Sequence, residues 1–95
     1  MCDYELVTIV SPELDENEVS KIMDKVGQAI SNRGGVVEGT DEWGKRKLAY
    51  PIRKFMEANY ILTRFKLEPK SIKEVEAEIR AWEDILRHLV VKLED

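Results

Sequence analysis

The first apolar run along the chain, Tyr4 to Val10, is rich in β-branched residues, carries one charge at Glu5 and is broken by Ser11-Pro12, which predicts a buried strand. Asp15 and Glu18 follow at capping-box spacing, with Leu14 and Val19 placed as a hydrophobic staple, so a helix begins there. Val19, Ile22, Met23, Val26 and Ile30 fall on one face of that helix, and Gly34-Gly35 supplies a residue able to take the left-handed terminating conformation. The helix is expected from about Glu16 to Asn32.

From Val36 to Leu48 β-branched residues alternate with polar ones without a helix cap, which predicts a largely exposed strand whose far end carries Trp43-Gly44. Residues 49 to 57 contain Pro51, which bars a regular central strand, and read as a connection. Ala58 to Leu67 alternates clearly: Ile61, Thr63, Phe65 and Leu67 form a core face, while Tyr60, Leu62, Arg64 and Lys66 form the other. Pro69 and Ser71-x-x-Glu74 open a second helix with an apolar stripe of Ile72, Val75, Ile79 and Trp82. Ile85 to Leu93 is a last strand with apolar residues on both parities, so its buried face is left open.

The order β-α-β-β-α-β predicts an α+β, ferredoxin-like sandwich, a four-stranded antiparallel sheet with two helices on one face, as one domain over residues 1–95. The other sheet face is then uncovered, and Tyr60, Leu62, Arg64 and Lys66 lie on it. That face is either an ordinary solvated surface or a partner site, with Tyr60 and Leu62 as its protein-contact candidates.

Charge changes the picture. The chain has a net charge of -4, yet between Trp43 and Lys66 seven basic residues (Lys45, Arg46, Lys47, Arg53, Lys54, Arg64, Lys66) stand against Glu57 alone. That is +6 locally and leaves -10 for the remainder. Phosphate recognition needs such cations, and the interleaved Trp43, Tyr50, Phe55 and Tyr60 add planar faces for unpaired bases. The same residues also suit a solvated strand and loop whose aromatics turn inward. With 43% apolar and 36% charged residues the chain is expected to fold by itself, in a reducing, cytosolic compartment given its single Cys2. No stretch approaches a membrane span, and no targeting segment is read at the N-terminus.

Enzyme chemistry finds little support. Cys2 and His88 make no soft-ligand set for a metal, no cofactor motif is present, and Gly34-Gly35 lacks the Lys-Ser/Thr of a phosphate loop. His88 has no acid or nucleophile beside it in sequence, and Glu74, Glu76, Glu78, Glu83 and Asp84 read as a solvated acidic face. An acylphosphatase would carry an anion loop where this chain has the acidic turn Ser11-Pro12-Glu13-Leu14-Asp15. The aromatic signature of an RNA-recognition module is not matched by Asn59 to Phe65, in which only Tyr60 stands in.

The segment Trp43-Gly44-Lys45-Arg46-Lys47-Leu48-Ala49-Tyr50-Pro51-Ile52-Arg53-Lys54 resembles the signature of the bacterial small-subunit ribosomal protein six family. Tyr4-Glu5, Pro12, Gly34-Gly35, Tyr60 and Ile85-Leu86-Arg87 before Val90-Val91 extend the resemblance over nearly the whole chain, in order. It implies the same fold, no catalysis, no cofactor and no small-molecule substrate. It also implies a cytoplasmic place in the small ribosomal subunit, bound to 16S ribosomal RNA beside ribosomal protein eighteen. The residues expected at the RNA are Lys45, Arg46, Lys47, Tyr50, Arg53, Lys54, Arg64 and Lys66. Two departures shape the expectation: Cys2 replaces a common basic residue, and the sequence stops at Glu94-Asp95 where many members continue, so a smaller contact with protein eighteen is expected. The competing reading is a stand-alone ferredoxin-like ligand-binding or regulatory module, which has no need of the five cations between Trp43 and Lys54.

Overall fold

The computed structural model describes residues 1–93; the chain end at Glu94-Asp95, on which the expectation of a smaller protein contact rests, lies outside them. Strand β1 (Cys2–Val10) leads through Pro12 into helix α1 (Glu16–Ser31), followed by β2 (Val36–Ile52) and β3 (Phe55–Leu67). A 3-10 turn at Pro69–Ser71 then runs into α2 (Ile72–Arg80) and β4 (Ile85–Lys92). The sheet order is β2-β3-β1-β4 and every neighbouring pair is antiparallel. This is the β-α-β-β-α-β ferredoxin-like arrangement that the periodicity predicts.

The core lies between the sheet and both helices. Tyr4, Leu6 and Val10 of β1 and Ile61, Phe65 and Leu67 of β3 are buried against Val19, Ile22, Val26 and Ile30 of α1 and Val75 and Ile79 of α2. Tyr4 stacks on Phe65 with ring centroids 5.5 Å apart, and burial pushes its phenol above the ordinary value. The cap of α1 forms as its spacing requires: the Glu18 amide donates to Asp15 Oδ1 at 2.8 Å, and the Asp15 amide donates to Glu18 Oε1 at 3.3 Å. After α1 the chain must pass close under β3. A Cβ on Gly35 would come within 2.8 Å of the Lys66 carbonyl oxygen and 2.6 Å of Ile30 Cγ2, so only glycine fits.

Four sequence expectations are corrected. Residues 49 to 57 are not an irregular connection: β2 runs through Pro51 to Ile52 and turns directly into β3, and proline is tolerated because β2 is an edge strand with no neighbour on one side. Ser71 makes no side-chain cap, since the 3-10 turn before it already carries the chain into α2. The acids of α2 are not simply solvated. Arg33, just past α1, donates to Glu78 Oε1 at 2.9 Å and to Glu74 Oε2 at 3.3 Å, while Glu76 Oε1 lies 3.1 Å from His88 Nε2, tying α2 to α1 and to β4. The fourth is Leu62, which is buried although its parity puts it on the open sheet face. Register also decides β4, where Thr8 faces His88 and Leu6 faces Val90, so the even residues from His88 onward look toward the helices; Arg87, Leu89 and Val91 take the open face.

Candidate nucleic-acid interface

The β2–β3 hairpin positions most of the predicted site. At about 3.3 Å per residue a straight 17-residue strand would reach roughly 53 Å, whereas the molecule measures 37 Å along its longest axis, so β2 has to bend. It bends at three interruptions of its pairing with β3, between Val37 and Gly39, between Glu42 and Gly44, and over Lys47 to Ile52. Ile52 pairs with Phe55, so Arg53 and Lys54 alone make the turn, with φ of 49° and 73°. Two successive positive φ values are the pattern of a type I′ turn, usually built from Asn-Gly because a side chain with a Cβ is strained there. Two long cations occupying both positions are a local exception, of the kind that gathers at functional sites.

Strand alternation divides the basic run. Arg46 pairs with Ala58, on the parity of Tyr60 and the open face, whereas Lys45 and Lys47 pair with Asn59 and Glu57 on the opposite parity. Arg46, Trp43 and Tyr60 line a cleft of about 430 Å³. Lys47 and Lys54 line a second, of about 400 Å³, with Pro12, Leu48, Phe55, Met56 and Glu57. The tip of the hairpin curls back over the sheet end: Arg53 Nη1 donates to the Glu83 carbonyl at 3.0 Å, and the Arg87 guanidinium lies 5.4 Å from the centre of the Tyr50 ring. Tyr50 is 55% exposed, so it is not a residue packed under the sheet edge.

The remaining predicted cations lie apart from these. Arg64 and Lys66 sit on the proximal half of β3, where Arg64 Nε is 3.4 Å from Glu5 Oε2 and Lys66 Nζ is 3.8 Å from Glu38 Oε2. Among the described residues no ion pair involves Lys45, Arg46, Lys47 or Lys54. The positive field is therefore concentrated on the distal hairpin.

Leu62 corrects the expected protein contact. It is on the open face as its parity predicts, but only 7% exposed, because it sits on an inner strand between Val7 of β1 and Asp41 of β2. Exposed apolar surface appears on the edge strand β4, at Leu89 and Val91. Sequence reasoning offered Trp43 as a stacking face without placing it with the cations, and it passed over Arg87 as a site residue. The signal for Trp43 was present in the dipeptide Trp43-Gly44, since Gly44 takes φ +76° and closes a bulge that an alternating pattern does not anticipate. Arg87 carries no local signal, since its meeting with Tyr50 depends on the curl of the hairpin.

Comparison with known proteins bears on this arrangement. Residues 3–92 match the family model described as ribosomal protein S6. The chain is 43% identical over 94 residues to the small ribosomal subunit protein bS6 of Clostridium novyi, covering 99% of each chain. It is 39% identical to that of Caldanaerobacter subterraneus, covering both chains fully. The crystal structure of 30S ribosomal protein S6 from Thermotoga maritima superimposes with a TM-score of 0.91 at 28% identity, covering 97% of this chain and 87% of that one. The C-terminal domain of MgtC from Mycobacterium tuberculosis, at 10% identity and a TM-score of 0.65, shares the fold alone.

Proposed function

The chain belongs to the ribosomal protein S6 family, and from that premise we propose that it is a structural component of the bacterial small ribosomal subunit, binding 16S ribosomal RNA through its distal hairpin and cooperating there with ribosomal protein eighteen. Membership makes it a ribosomal protein and not an enzyme. The observation that carries the RNA reading is the set of exposed distal cations, Lys45, Arg46, Lys47 and Lys54, none of which forms an ion pair among the described residues. Cations already matched to acids gain little from a phosphate, because a new contact must first break the old one. Arg64 and Lys66 accordingly take the smaller share.

Protein eighteen is assigned to the open face at the β4 side, where Leu89 and Val91 offer apolar area and Arg87 joins that side to Tyr50 of the hairpin. A partner seated there steadies the hairpin tip, and by linkage RNA that steadies the tip strengthens the partner by the same factor. The test is a titration of 16S ribosomal RNA with this protein, with and without protein eighteen, in the wild type and in Leu89→Glu. Protein eighteen should tighten RNA binding by the wild type and do so much less for the variant. No binding to the RNA in any combination, with no cosedimentation with the small subunit, would sink the reading.

A further inference from the structure

The bulge at Trp43 has no role in closing the hairpin, yet it is held by a glycine with φ +76° around which a Cβ would find nothing within 4 Å. Glycine suits the position for its backbone conformation and not for lack of space, and the extra residue in β2 changes where Trp43 lies. With one extra residue in β2, Trp43 leaves strict alternation and its ring comes to lie 6.4 Å from the ring of Tyr60, nearly parallel at 13°. Trp43 nonetheless remains 43% exposed, although an indole that served only packing would be covered more completely. Arg46 completes the cleft, and no ion pair to it is found among the described residues.

We propose that Trp43, Tyr60 and Arg46 form a stacking site for one unpaired nucleobase, with Arg46 taking the adjoining phosphate. This rests on the RNA-binding reading above and deepens it by naming what the hairpin recognises there: a single-stranded or bulged nucleotide and not a continuous duplex. Two near-parallel aromatic rings with a planar guanidinium beside them match the flat faces of a base, whereas bases inside a duplex are already stacked on each other and offer no free face. A purely electrostatic contact has no use for the rings. The assigned protein contact, at Leu89 and Val91, lies on the opposite edge of the sheet, with β1 between.

Trp43 reports on its own site. In a Trp82→Phe background its emission is the only indole signal; the difference between wild type and Trp43→Phe gives the same information without relying on that background. A short oligoadenylate should quench this emission, while inorganic tripolyphosphate and a blunt RNA duplex should not. Trp43→Ala should weaken oligoadenylate binding about tenfold, and Trp43→Phe should restore most of it because a ring is retained. Equal quenching by tripolyphosphate, or unchanged affinity in Trp43→Ala, would overturn the site. So would quenching by protein eighteen alone with none by the oligonucleotide. If 16S ribosomal RNA binds wild type and Trp43→Ala alike, the stacking site falls while RNA binding stands; if it binds neither, both fall.

Discussion

The two halves of the β2–β3 hairpin are made from the same two strands and do different things. In the proximal half, Ile61 to Leu67 of β3 are pressed against the helices by one face, and the cations on the other face, Arg64 and Lys66, are matched by Glu5 and Glu38. In the distal half, Lys45, Arg46, Lys47 and Lys54 form no ion pair among the described residues, β2 is interrupted by bulges, and the turn is strained at Arg53 and Lys54. The lesson is that density of basic residues does not locate a phosphate site. The proposed site is distinguished by cations that form no ion pair among the described residues.

Breaking the proximal half should cost stability first. Phe65→Ala removes a side chain that is 1% exposed and stacked on Tyr4, and should destabilise the protein by about 3 to 5 kcal/mol in urea titration. Whatever fraction remains folded should keep its RNA salt dependence. A loss below about 1 kcal/mol would show that the core relaxes around the site. The converse experiment acts on the distal half: Lys45, Arg46 and Lys47 together changed to alanine should lower the log-log salt slope of RNA binding by about 2 to 3, with the melting temperature nearly unchanged because all three are exposed. Full affinity in that triple variant would contradict the division.

This contrast explains what was readable in the sequence and what was not. The proximal half obeys simple rules: Ile61, Thr63, Phe65 and Leu67 alternate without interruption, and the α1 cap at Asp15 and Glu18 declares itself, so the element order and the core could be read directly. The distal half breaks the period. Three extra residues between Lys47 and Ile52, relative to the step from Glu57 to Phe55, conceal a strand, and Pro51 reads as a stop unless β2 is known to be an edge. Leu62 and Leu89 share an open face, yet their exposures of 7% and 60% are set by inner against edge position, which depends on sheet order and not on either residue's neighbours in sequence. The cations of the candidate site were readable as a cluster; their separation into compensated and free was not, since Glu5 and Glu38 arrive from other parts of the chain.

A more selective change tests whether the strained turn belongs to function. Replacing Arg53-Lys54 by Asn-Gly supplies the residues that a type I′ turn prefers, and should stabilise the protein by about 1 kcal/mol after allowing for the lost Arg53 bond to the Glu83 carbonyl. The same change should lower the RNA salt slope by about 1.4 to 1.8, one step for each cation removed. Opposite signs of the two effects are the outcome that assigns the strain to binding. Improved stability with RNA binding intact would make the turn a local imperfection only.

The smallest expected effect is also the sharpest comparison. Arg64→Gln and Lys54→Gln each remove one positive charge, so both change the net charge of the chain by the same amount, and any difference between them reports on place. Lys54, at the turn and without an acidic partner among the described residues, should lower the salt slope by about 0.7 to 0.9. Arg64 lies 3.4 Å from Glu5 with its side chain 58% exposed, and a pair so solvated contributes between nothing and about 1 kcal/mol to stability. Its loss frees Glu5 to repel phosphate at a distance, an effect that salt screens within about 8 Å at physiological ionic strength. The Arg64 variant should therefore change the slope by less than half as much as the Lys54 variant. Equal slopes in the two would mean that RNA senses the summed charge of the sheet face, and the boundary between the two halves of the hairpin would lose its functional meaning.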